Sequence, residues 1–173
     1  MVIVNYTIAT LFICIAVITD YMEYKIKNIS VLMFSAIGVL VNAVMSGMDG
    51  IFDSFCGLLI PLLLFPLFML KMLGAGDIKA LCAIGSIVGL KTSIYTVLFS
   101  FIAGGAIALM YMILRKNAWY RMKQFGKYVS LCFLTQTLQP YGEFTDEKSG
   151  FRFILGISGG FLLAILWINY GNG

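Results

Sequence analysis

The sequence predicts an all-α protein: a polytopic membrane bundle of six transmembrane helices, with an amphipathic helix on the cytoplasmic face. Three observations carry that prediction. The 173 residues are 61% hydrophobic and only 12% charged, where a soluble domain averages about 25% charged residues. Their mean hydropathy is +0.96. The apolar residues also fall in long charge-free runs, most of them reaching the roughly 17–25 residues that a spanning helix needs.

The runs, in order, are Met1–Thr19, Asn28–Met48, Ser54–Leu70, Ala80–Leu90, Thr92–Leu114 and Phe153–Gly173. They place helices at about 2–20, 29–47, 52–70, 77–90, 92–114 and 152–170 in one integral-membrane domain spanning 1–173. The fourth is short. Even from Asp77 it covers only about 20 Å at 1.5 Å per residue, so it is expected to be buried among the others, with its polar N-terminus near one membrane face. The first run has no basic stretch ahead of it, and its positive flank, Lys25 and Lys27, comes after it. It therefore reads as a retained helix with the N-terminus outside, not as a cleaved signal peptide.

Charge sets the orientation. With six spans and an external N-terminus, eleven of the twelve Lys and Arg residues fall on the cytoplasmic side, leaving Lys91 outside. Inverting the chain would reverse this strong positive-inside asymmetry. The longest cytoplasmic segment contains Trp119, Met122, Phe125, Val129 and Phe133 at steps of three and four, with Arg115, Lys116, Arg121, Lys123 and Lys127 between and before them. Over about 116–134 that pattern predicts an amphipathic helix lying on the inner surface, drawn to anionic lipid headgroups.

The chemistry open to this chain is narrow. It contains no histidine, which removes Ser–His and Cys–His catalysis, zinc proteases of the H-E-x-x-H type and His-ligated haem. Its four cysteines, Cys14, Cys56, Cys82 and Cys132, are scattered without a C-x-x-C pair and read as packing residues. No metal, cofactor or nucleic acid is expected. Acid–base work then falls to carboxylates, Lys or Tyr.

Among the eight acidic residues, two stand apart by parity. Helix one runs inward and ends at Asp20; helices two and three go out and back; helix four therefore begins on the inner side at Asp77. If helices one and four pack side by side, the two carboxylates converge on one water. An ionised carboxylate can take a proton from that water while a protonated one polarises a scissile carbonyl. Gly74 and Gly76, just before Asp77 in "GAGD", leave the backbone free to turn tightly or to approach another segment closely. On spacing alone, a plain interhelical turn with Asp77 capping the next helix is equally consistent.

The stretch "GAGDIKALCAIGSIVGL" resembles the G-x-G-D motif of the type IV prepilin peptidases, an intramembrane aspartic protease family. In that family the motif continues to a Lys, matched here by Lys79, and a second aspartate ends helix one ahead of a basic stretch with Ile-Pro-Asn. Here "TDYMEYKIKNIS" supplies Asp20 and then Ile26-Lys27-Asn28, with Lys27 in place of the usual Pro. The paired-cysteine insertion of the bifunctional members is missing, so the chain looks like the minimal, peptidase-only form found with tight-adherence (Flp-type) pili, and N-methyltransferase activity is not expected. Archaeal preflagellin peptidases are a related form.

The resemblance implies catalytic Asp20 and Asp77, with Gly74, Gly76 and Lys79 in support. It implies a prepilin-like substrate, a short basic leader in the cytoplasm followed by a hydrophobic helix, and hence a cytoplasmic-membrane enzyme working at the inner face beside pilus assembly machinery. Glu23, Glu143, Asp146 and Glu147 are candidate contacts for leader Lys or Arg. The competing readings are a transporter that uses the two aspartates as a cation or proton site, and a non-catalytic assembly subunit.

Overall fold

Every described element is a helix. The computed structural model describes residues 2–23, 26–70, 73–114 and 153–171. The helices are α1 (Val2–Glu23), α2 (Asn28–Leu62), α3 (Phe65–Met69), α4 (Ala75–Leu114) and α5 (Ile154–Gly171). Counted by length and composition, three helical stretches are long and apolar enough to cross a membrane: Val2–Met22, Asn28–Met69 and Ala75–Met110. The expected amphipathic segment at 116–134 lies outside the described residues.

Four of the six expected helices thus fall, in pairs, within two long runs. Each run breaks at one glycine with a left-handed φ: Gly47 (φ 61°, ψ −137°) in α2 and Gly89 (φ 79°, ψ 178°) in α4. The side chains show how sharply the chain turns there. Asn42 Nδ2 donates to Ser54 Oγ at 2.7 Å, although twelve residues of straight helix would span about 18 Å. A Cβ on Gly85 would come within 2.7 Å of Ser93 Oγ, which a straight helix would hold about 12 Å away. Both runs fold back on themselves, and only a residue without Cβ takes these backbone angles freely.

α4 is central and packs against α2, α5 and α1. Its first half is buried almost all round, through Ala80, Leu81, Ala83, Ile84, Ile87 and Val88, as expected of the short fourth helix. Ala9, Phe12, Ile13 and Ala16 form the matching stripe on α1, and Ile154, Ile157 and Phe161 that on α5. The buried face of α2 is made instead of Gly38, Asn42, Gly50, Ser54, Gly57 and Pro61. Small residues at this spacing let backbones approach closely where lipid supplies no hydrophobic drive between helices. Pro61 has no N–H for the Gly57 carbonyl one turn back, and Ser93 Oγ donates to that carbonyl at 2.8 Å. Two of the cysteines, Cys14 and Cys56, face outward and do not pack in the core; Cys82 is half-buried.

Two polar clusters mark the ends of the bundle. At one end Asn5 Nδ2 donates to Asn42 Oδ1 at 2.7 Å, and Asn42 Nδ2 also reaches the Ile87 carbonyl at 3.1 Å. Nearby, the Asp53 carboxylate accepts the Leu90 N–H at 3.0 Å, capping across helices the stretch that restarts after Gly89. The other end holds Asp20, Ile26, Asn28 and the start of α4. Fifteen residues of α1 separate Asn5 from Asp20, roughly 22 Å of helix.

Candidate functional site

The second cluster begins with how α4 starts. The Gly74 carbonyl accepts the N–H groups of Asp77 (3.1 Å) and Ile78 (3.4 Å), opening the helix. Asp77 is the third helical residue, and its carboxylate reaches back to accept the Gly74 N–H. This is the reciprocal half of a capping box, in which a third-position acid satisfies a donor the helix leaves unpaired. Asp77 therefore has a local structural partner as well as its place at the bundle end. It stands in the first turn of the helix and is not the cap residue itself.

Asp20 sits on the last turn of α1, which continues three residues further to Glu23. It lies 57 positions before Asp77 in the chain, yet within electrostatic reach of it. Both carboxylates are half-buried. α1 arrives at this end, α4 departs from it, and each brings one acid.

The two glycines ahead of Asp77 do different things. Neither takes a left-handed φ; among the described residues only Gly47 and Gly89 do. A Cβ on Gly74 would stand 2.9 Å from Asp77 Oδ2, so the bare position leaves room for the carboxylate. A Cβ on Gly76 would meet only the Ile26 side chain, at an ordinary 3.6 Å. Gly74 provides space beside an oxygen, and Gly76 a seat for Ile26.

Lys79 is exposed, and its Nζ donates to Asn28 Oδ1 at 2.9 Å. Its partner is thus the first residue of α2. Glu23 is the final residue of α1, while Glu143, Asp146 and Glu147 lie outside the described residues. Sequence reasoning misses one partner here: Asn28 enters only through the match to Ile-Pro-Asn and carries no local signal of what it binds across the bundle.

A sequence model of the type IV leader peptidase family matches residues 7–109. That stretch contains both aspartates, the glycines between them, Asn28 and Lys79. Comparison with curated proteins and with solved structures found no match.

Proposed function

Because this chain belongs to the type IV leader peptidase family, and so to a family of membrane-embedded hydrolases, we propose that it is an aspartic endopeptidase that removes the short basic leader of prepilin-like or preflagellin-like proteins at the cytoplasmic membrane face. The observation that supports the reading is that α1 ends and α4 begins at the same end of the bundle, with Asp20 on the last turn of one and Asp77 in the first turn of the other. In the proposed mechanism one carboxyl of the pair carries a proton and the other does not, which supplies a general acid and a general base together.

The chemistry then needs no further group. The ionised carboxylate takes a proton from a water held between the pair as the water oxygen bonds to the scissile carbonyl carbon. The protonated carboxyl gives its proton to the carbonyl oxygen, forming a neutral tetrahedral gem-diol. Collapse breaks the C–N bond, with one carboxyl protonating the leaving amine and the other recovering a proton from the gem-diol. The pair returns with one proton between them.

The topology proposed has six crossings with the N-terminus outside. Among the described residues, the fold-backs at Gly47 and Gly89 each divide one long run in two, and the positive-inside charge asymmetry of the sequence gives the orientation. The substrate's hydrophobic helix would pack laterally while its leader reaches this face, and pilus assembly machinery would receive the product. A reporter fused after Lys127 is expected to be cytoplasmic and one near Gly47 external; external labelling at both would overturn this orientation. The chemical test is cleavage, in detergent, of a synthetic peptide with a Lys/Arg-rich leader followed by a hydrophobic segment. Asp20→Asn and Asp77→Asn should each reduce cleavage to background while remaining folded, and normal cleavage by either would rule out the dyad.

A further inference from the structure

We propose that Asn28 and Lys79 form a clamp that positions Asp77 against Asp20, a role that rests on the two-aspartate reading above. The segment that leaves α1 touches α4 on both sides of Asp77. Before it, the Ile26 side chain lies over Gly76, where a Cβ would find Ile26 Cδ1 at 3.6 Å and Cγ1 at 3.7 Å. After it, Lys79 Nζ donates to Asn28 Oδ1 at 2.9 Å. Asp77 is thus bracketed by two contacts to one three-residue segment, and that segment begins six positions after Asp20. Whatever moves Ile26–Asn28 relative to α4 moves the backbone on both sides of Asp77.

Helix electrostatics do not account for Lys79 being there. The ammonium lies at the first residue of α2 and near the start of α4, and the N-terminal end of a helix macrodipole disfavours a cation. What the placement does achieve is a charge-assisted bond between two helix starts 51 positions apart in sequence. Other cross-helix bonds between α2 and α4, Asn42 to the Ile87 carbonyl and Leu90 to Asp53, lie at the opposite end of the bundle. The clamp supplies a directional contact beside Asp77 itself. Asn28 and Lys79 are positioning residues, acting through the aspartates.

The experiment is a double-mutant cycle, with the same leader–hydrophobic peptide as probe and rates normalised to folded protein. Asn28→Ala and Lys79→Met should each lower kcat about tenfold, with KM changed less than about twofold, because a misplaced catalytic group slows the chemical step without removing binding contacts. The double variant should be no slower than either single variant, since both remove one bond. Asn28→Asp keeps an acceptor for the ammonium and should recover most of the rate, which separates loss of the contact from misfolding. Lys91→Met, a lysine at the other end of the bundle, should cleave like wild type. Wild-type kcat in the clamp variants, multiplying losses in the double variant, or no recovery in Asn28→Asp would each overturn the clamp while leaving the dyad intact. Normal cleavage by Asp20→Asn or Asp77→Asn would overturn the dyad itself, and the clamp's role with it.

Discussion

The two ends of the bundle handle polar groups in opposite ways. At the Asn42 end the cluster around Asn42 is enclosed, with exposed Asp53 at its edge: Asn42 is 2% exposed, and Ser54 and Ser86 are 0% exposed. Asn42 is held by bonds to Asn5, to Ser54 and to the backbone at Ile87. At the Asp77 end both carboxylates are half-buried, and the neighbouring Lys79 and Asn28 are exposed. A polar group sealed in hydrocarbon has to be satisfied by protein, so such a cluster holds helices in register. A group that keeps access to water can still exchange protons. The first arrangement serves architecture, the second chemistry. A membrane protein can therefore carry polar residues at both depths for unrelated reasons.

Substitution should separate the two roles. The largest effect expected is at the aspartates: Asp20→Asn and Asp77→Asn should abolish cleavage, yet shift the unfolding midpoint in an SDS titration very little, because Asn keeps the size and most of the hydrogen-bonding capacity. A large loss of stability in either would make that aspartate architectural after all. Asn42→Leu should show the converse. It leaves a donor of Asn5 and the Ser54 hydroxyl without their partner, and the same titration should read a loss of about 2 kcal/mol, with kcat per folded molecule close to wild type.

The two motif glycines sharpen the comparison within the Asp77 end. Gly74→Ala puts a methyl 2.9 Å from Asp77 Oδ2 and must displace the carboxylate; kcat should fall about tenfold, as a displacement of well under 1 Å would predict. Gly76→Ala meets only Ile26 at van der Waals distance, and its rate should stay within about twofold. Equal losses would mean that backbone freedom, not room for the oxygen, is what the motif protects. The smallest effect belongs to the opposite end. Asp53→Ala removes the cross-helix cap on Leu90 and should cost about 1 kcal/mol, read in the same titration, without altering KM or kcat.

Some of this was legible in the chain alone. Charge-free runs of spanning length predict helices, because lipid offers backbone N–H and C=O groups no partner and a helix satisfies them within one segment. The alternation of those runs predicts that Asp20 and Asp77 lie toward one end, since counting crossings needs only the number of reversals. Gly47 and Gly89, where two of those reversals occur, could not be picked out from the chain's other glycines, because a left-handed φ is a property of the folded backbone.

The pairings were not legible, and for one reason. Hydropathy records that a residue is apolar, but the interior of this bundle and the surrounding lipid are equally apolar, so it does not say which helix face turns inward. The choice is made by close approach, at Gly57 against Gly85 and Gly38 against Ile87, and by single hydrogen bonds across long sequence distances. Asn5 with Asn42, Asp53 with Leu90 and Lys79 with Asn28 are 37, 37 and 51 positions apart. The sequence alone determined a helical membrane protein with two acids at one face. The tertiary structure decided what stands on either side of them, because only packed helices bring Ile26 onto Gly76 and Asn28 onto Lys79.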